Sequence, residues 1–156
     1  MIFSSYLLFK FLHVVGAILW VGGISTLTIL YLQLGRIQER STLTSLLQMS
    51  GFAGRALVGP AAALTLIAGI ATAVTAGFDF DRLWITWGFM GILLSIVLGA
   101  TLIRRTTNGI AQVVAATVTP DSSKLRALQG RLTGLNLLNL LILLSTVGAM
   151  VFKPTL

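Results

Sequence analysis

Apolar side chains run almost unbroken through four stretches of the chain, 11–34, 56–78, 83–103 and 132–152. Each is close to the ~20 residues that a helix rising 1.5 Å per residue needs to cross a hydrocarbon core. The middle two stretches contain no charged residue, and the first has an apolar lead-in from Ile2 to Phe9. The pattern predicts an all-α fold, a polytopic membrane four-helix bundle forming a single transmembrane domain over 1–156. Residues 1–9 carry no charged side chain, Lys10 is the first, and the apolar run after it exceeds the core of a secretion signal. The N-terminal stretch is therefore expected to be a retained first span.

The polar punctuation sets the connections. The segment 35–55 reads as a loop holding Arg36, Arg40 and Arg55, and 79–82 as a short, slightly acidic turn with Asp79, Asp81 and Arg82. The third connection reads as a helical hairpin over about 104–131. Thr119-Pro120-Asp121 has the form of a helix start with Pro at the first helical position, and the helix it opens would run through Lys124, Leu125 and Leu128 into the fourth span. Pro60, after Gly59, is expected to kink the second span or to mark where its straight part begins.

Composition excludes whole classes of function. Apolar residues make up 56% of the 156 positions and charged residues 10%, with a mean hydropathy of +0.95. Soluble domains carry roughly 25% charged residues, so this chain cannot clothe a water-facing surface. The net charge of +7 is no nucleic-acid footprint, because position gives it another meaning. Eight of the eleven basic residues fall in the first and third connections, which share one side of the membrane. By the positive-inside rule that side is cytoplasmic, with both termini outward. The expected setting is a bacterial inner membrane, where the basic loops also attract anionic headgroups. There is no cysteine, so disulfides, iron–sulfur clusters and thiolate sites are absent.

Small residues recur at helical spacing: Gly16, Ala17 and Gly23 in the first span, Gly59, Ala62, Ala63, Gly69 and Ala73 in the second, Gly88, Gly91, Ser95 and Gly99 in the third. In lipid such stripes let helices approach closely. They predict assembly as a homo-oligomer or as a subunit of a larger membrane complex. Asn136, Asn139 and Thr146 form a polar stripe on the fourth span, suited to interhelical hydrogen bonds or contact with a ligand headgroup.

His13, the chain's sole histidine, is the residue that could carry chemistry. Lys10, Gly16, Trp20 and Gly23 lie at i−3, i+3, i+7 and i+10 from it, on one helical face. Ionisable groups inside spans are rare and tend to be functional, and neighbouring glycines leave room beside the imidazole for a flat macrocycle or a second helix. With one histidine, a bis-histidine site within one protomer is impossible. Met150 and Met90 are the thioethers on the same side of the membrane, and a Met/His pair suits haem iron or Cu(I). No span holds a carboxylate, so neither hydrolytic catalysis nor transport of polar solutes is expected.

The segment Phe11-Leu12-His13-Val14-Val15-Gly16-Ala17-Ile18-Leu19-Trp20-Val21-Gly22-Gly23 resembles the first-helix motif of a group of small bacterial membrane proteins. That group includes the copper-resistance D membrane domain, the HemJ-type protoporphyrinogen oxidases and an uncharacterised family of small integral membrane proteins. The resemblance implies haem b or a metal bound at His13, with Lys10 beside a propionate. The further histidine or basic residues that HemJ-type proteins carry in later helices have no counterpart in spans two and three. The competing expectation is a non-catalytic accessory or scaffold subunit of an electron-transport type complex.

Overall fold

A computed structural model describes residues 4–37, 39–116 and 122–154. Among them are α1 (Ser5–Leu34), α2 (Arg40–Ala53), α3 (Gly59–Thr75), α4 (Leu83–Leu98), α5 (Arg104–Ala116) and α6 (Ser122–Phe152). Two five-residue π-helical turns, Gly54–Val58 and Gly99–Ile103, join α2 to α3 and α4 to α5 without interrupting the helical path. The chain is thus four continuous rods, each long and apolar enough to cross a membrane, and the described residues contain no strand. The segment Thr119-Pro120-Asp121 lies outside the described residues.

The second and third rods are longer than a bilayer is thick. The stretch from Arg55 to Thr75 alone rises about 30 Å, the thickness of a hydrocarbon core. The π turns therefore stand near the level where apolar sequence gives way to arginine, with Arg55 in one and Arg104 and Arg105 just after the other. Pro60, at the start of α3, has no N–H to offer the preceding turn, and the π turn before it absorbs the missing hydrogen bond.

One expectation from the sequence is corrected. Residues 40–53 form a helix and not a loop. Leu43, Leu47 and Ser50 recur at i, i+4 and i+7 and are buried, while the opposite face carries Ser41, Ser45 and Gln48, joined toward its end by exposed Met49 and Phe52. A window that averages hydropathy discards such a segment because its polar face cancels its apolar one. Glu39 precedes this helix and accepts hydrogen bonds from Ser41 Oγ and, at 2.8 Å, from Thr42 Oγ1. These hydroxyls, Ser41 first, hold the exposed Glu39 carboxyl below its ordinary value.

The bundle is closed at one end and open at the other. At the end bearing α2 and α5, all four rods converge on Leu27, Tyr31, Leu34, Leu43, Leu47, Ile110, Val114 and Leu132. There the α6 side chains of Gln129 and Thr133 donate to the carbonyls of Leu34 and Tyr31, each at 3.2 Å. The last turn of a helix leaves its carbonyls without intrahelical partners, so α6 caps α1 from the side. Arg40 donates to the Ala115 carbonyl at 3.0 Å, placing a cation at the C-terminal end of α5.

Toward the termini, the rods pair off, α1 with α3 and α4 with α6. Glycines set both pairings. A Cβ built on Gly16 would stand 2.7 Å from Thr65 Oγ1 and 3.0 Å from the Thr65 nitrogen, and one on Gly23 would stand 3.0 Å from Val58. Across the other pair, Gly88 faces the terminal methyl of Met150, which would have to swing aside for a Cβ, and Gly91 faces Thr146, too close to admit one. These stripes are used inside the chain. Gly99, expected to share that packing face, meets nothing within 4 Å and stands where the π turn begins. Contact between α3 and α4 is slight, and the two pairs enclose a space.

Candidate functional site

The space is a cavity of about 780 Å³ at the end of the bundle that carries the termini and the 76–82 turn. Its floor is Trp20, Ile92 and Leu143, which pack with Ile24, Ala61 and Ala62 and are buried. Its walls come from α1, α3, α4 and α6, and they are apolar apart from a few placed groups. That size, with few polar groups in an apolar chamber, is usual for a cofactor or small-molecule site.

His13 is one of those groups. Its Nδ1 lies 2.8 Å from the Thr65 carbonyl. A carbonyl can only accept, so Nδ1 carries a proton, and in the neutral ring this leaves the Nε2 lone pair for a ligand. The ring can bring its edge up to α3 because Gly69 is there: a Cβ at that position would meet Nδ1 at 2.8 Å and Cε1 at 3.0 Å, with Cγ farther off at 3.9 Å. Thr65 turns its own hydroxyl back to the Ala61 carbonyl at 2.7 Å, so the residue faces α1 with its backbone carbonyl as the imidazole's acceptor.

The mouth is cationic and aromatic. Lys10 stands 5.7 Å from the centre of the Tyr6 ring. Lys153 stands over both Phe78 and Trp84, at 5.7 and 5.5 Å. Two helix ends build this cluster. After α3, Gly77 takes a left-handed φ of 66°, and the Phe78 N–H bonds back to the Ala73 carbonyl, a Schellman ending that sets Phe78 edge-on against Trp84 at 5.4 Å. After α6, Lys153 itself is left-handed, with φ 45°, its N–H bonded to the Ala149 carbonyl, and Pro154 stops the helix. That turn swings the Lys153 ammonium over the two rings.

Of the residues singled out from sequence, Lys10, His13, Trp20 and Met150 line this cavity together. Gly16 does not line it. It is buried against Thr65, so the space it leaves admits helix α3 and not a ring. Met90 is exposed and outside the cavity, because it sits two residues from Gly88, roughly 200° around a helix. Asn136 and Asn139 are buried below the floor, away from the cavity. Asn136 donates to the Leu132 carbonyl of its own helix at 2.9 Å, and Asn139 Oδ1 is buried without a partner, as is Ser95 Oγ.

Sequence reasoning missed Thr65, Gly69, Phe78, Trp84 and Lys153. Thr65 acts through its carbonyl, for which no residue type is a signal. Gly69 was read as packing, which it is, though against an imidazole. Lys153 could have been found from the pair Lys153-Pro154, a helix stop that fixes where the preceding side chain goes. Among the described residues there is no group of three or more His, Cys, Asp and Glu that could hold a metal ion by themselves.

Residues 7–154 match the family described as predicted integral membrane protein (DUF2269). No significant match exists among the curated proteins or the solved structures. The match spans nearly the whole chain, and the chain, with its four apolar rods, belongs to this family of predicted integral membrane proteins.

Proposed function

We propose, from membership of this family as premise, that the chain is a haem-binding protein of a bacterial inner membrane, with its termini and its cavity on the outward side. The observation that carries this reading is the His13–Thr65 hydrogen bond on the cavity wall. A histidine that ligates a metal donates its other ring nitrogen to a carbonyl or carboxylate, which fixes the tautomer and the ring plane. His13 has this arrangement with the Thr65 carbonyl.

The other residues fit a porphyrin. The chamber is of cofactor size and apolar, Met150 offers a thioether within the same cavity, and Lys10 and Lys153 stand at the mouth where carboxylates of an amphipathic ring would emerge. Haem b bound there would supply one-electron chemistry. The chain's own part is to hold the imidazole, to exclude water with Trp20, Ile92 and Leu143, and to neutralise acid groups at the mouth. The first-helix likeness to HemJ-type and copper-resistance D proteins supports the same residue.

The test is the absorption spectrum of protein purified from cells supplied with haem precursor. A Soret band is expected in the natural chain and lost in His13→Ala, with helicity by circular dichroism unchanged. A band that survives His13→Ala overturns the assignment of the ligand. Absence of any band, with added hemin also failing to bind, overturns the haem reading in favour of an accessory subunit.

A further inference from the structure

The cavity has a side opening as well as a mouth. Val14 and Ile18 on α1, and Leu144, Val147 and Val151 on α6, both line the cavity and are exposed on the outer surface. A side chain with both properties stands on a rim. Ile70 of α3 has both properties too, but these five belong to α1 and α6, two helices that come together at the floor and below: Trp20 and Leu143 in one cluster, Tyr31 with Thr133, Leu34 with Gln129. Above Trp20 the rim residues flank a gap between α1 and α6. In a four-span membrane protein, a wholly aliphatic rim at that height faces acyl chains and not water.

Each side of this gap carries a lysine at the same end. Lys10 lies on α1, about one turn before His13, and Lys153 lies just past the end of α6. Both line the cavity and both are exposed. Lysines near helix ends reach to headgroup depth. The left-handed backbone at Lys153 is uncommon for a residue with a side chain. Here it is held by the Ala149 hydrogen bond and by two aromatic rings, so the ammonium is positioned and does not trail into water.

We propose that the cavity is loaded sideways from the bilayer, through the gap between α1 and α6, by an amphiphile whose anionic head is received by Lys10 and Lys153. The apolar body passes between aliphatic side chains without leaving lipid. The head stays at headgroup depth, where two cations offset the loss of its hydration. The proposal rests on the same cavity as the haem reading but not on iron at His13. A porphyrin with propionates is one member of the class it names.

Tryptophan quenching tests it. Trp20 and Trp84 line the cavity and are 3% and 8% exposed, whereas Trp87 is exposed. A Trp87→Phe variant therefore reports the cavity, shielded from bulk lipid. It is reconstituted in phosphatidylcholine vesicles with dibromostearic acid, with its methyl ester, or with brominated phosphatidylglycerol.

The free acid is expected to quench more than the neutral ester, and the excess to be lost in Lys10→Gln/Lys153→Gln. It is also expected to be lost when Ile18→Phe and Val147→Phe fill the gap. Quenching by the phosphatidylglycerol equal to that by the acid identifies the head as a lipid phosphate and still supports an anionic head. Equal quenching by acid and ester overturns the proposal. So does an acid effect that persists in the gap-filled variant, which would mean entry from water through the mouth. Repeating the measurement in His13→Ala separates the two readings. Acid quenching that persists there keeps the side entry even where the Soret test fails, and a Soret band with equal acid and ester quenching removes the side entry alone.

Discussion

The Nδ1–H of His13 and the carbonyl of Thr65 meet at 2.8 Å across α1 and α3, and this contact exists because glycine stands on both sides of it. Gly16 lets the Thr65 backbone come up to α1, and Gly69 lets the edge of the imidazole reach α3. Gly69→Ala should therefore move the ring, since the new Cβ would stand 2.8 Å from Nδ1. A hydrogen bond of this kind contributes about 0.5–1.5 kcal/mol, so the fold should persist. The expected outcome is weaker hemin binding in an absorption titration with unchanged helicity. Hemin affinity equal to that of the natural chain would show that the ring's position on α3 does not matter for binding.

The glycines of α4 divide into one that packs and one that does not. Gly91 faces Thr146 with no room for a Cβ, while nothing lies within 4 Å of a Cβ on Gly99. Gly91→Leu should destabilise the bundle by about 1–3 kcal/mol or more, the usual cost of overpacking. Gly99→Leu should leave the melting temperature of the detergent-solubilised monomer nearly unchanged. If Gly99→Leu lowers the melting temperature as much as Gly91→Leu, the α4–α6 register described above is wrong.

What the sequence makes legible follows from which physical signals are periodic and one-dimensional. The four spans are plain because a hydrocarbon core demands long uncharged runs such as 83–103. The face joining Lys10, His13 and Trp20 is plain because helical spacing is fixed. The rest depends on pairings between distant residues. Whether Gly16 makes room for a ring or for a helix is decided by Thr65, 49 positions away, and no local pattern names it. Met90 and Met150 are equivalent in sequence terms, and the helical phase relative to Gly88 separates them. Helix α2 stayed hidden for a different reason. It lies beside the arginines, where a polar face is correct, so its buried leucines are diluted in any average over the segment.

The cap that α6 provides for α1 gives a third test. Gln129 is buried and donates to the Leu34 carbonyl at the junction of all four rods. Gln129→Leu removes this side-chain donor while the carbonyl keeps the Ile37 N–H at 3.1 Å, so the loss should be that of one hydrogen bond, about 0.5–1.5 kcal/mol. Thr133→Val does the same for the Tyr31 carbonyl, in a less buried place, and should cost less. Thermal melts of the two single variants should rank in that order. The reverse order would place the weight of the junction on Tyr31.

Glu39 should make stability weakly pH-dependent. Hydrogen bonds from Ser41 and Thr42 favour its charged form, so its folded pKa lies below the unfolded one. A group of this kind adds stability that is fully present above the unfolded value. That stability is lost as pH falls through the folded value. The carboxyl is fully exposed, so the effect is small and is screened by salt. Melting temperatures of the natural chain and Glu39→Gln should differ at neutral pH and converge as pH drops below the ordinary carboxylate range near 4.3. A difference that stays constant through that range would assign the effect to side-chain shape and not to charge.

The distribution of charge across the two ends fixes the last expectation. Arg36, Arg40, Arg55, Arg104, Arg105, Lys124, Arg126 and Arg131 are all exposed at the closed end, while Lys10, Arg82 and Lys153 stand at the open one. Arg82 is further offset there by Asp79 at 3.4 Å. Retention of basic segments on the cytoplasmic side then predicts the four-rod junction inside and the cavity outside. The chain contains no cysteine, so a single introduced thiol reports one site without background. Ala127→Cys is exposed, lies between basic residues of α6 and leaves every charge in place. In intact cells it should resist a membrane-impermeant maleimide and react once the membrane is opened. Reaction from outside in intact cells would invert the topology. The cavity, Lys10 and Lys153 would then face the cytoplasm, and any ligand entering between α1 and α6 would have to come from the inner leaflet.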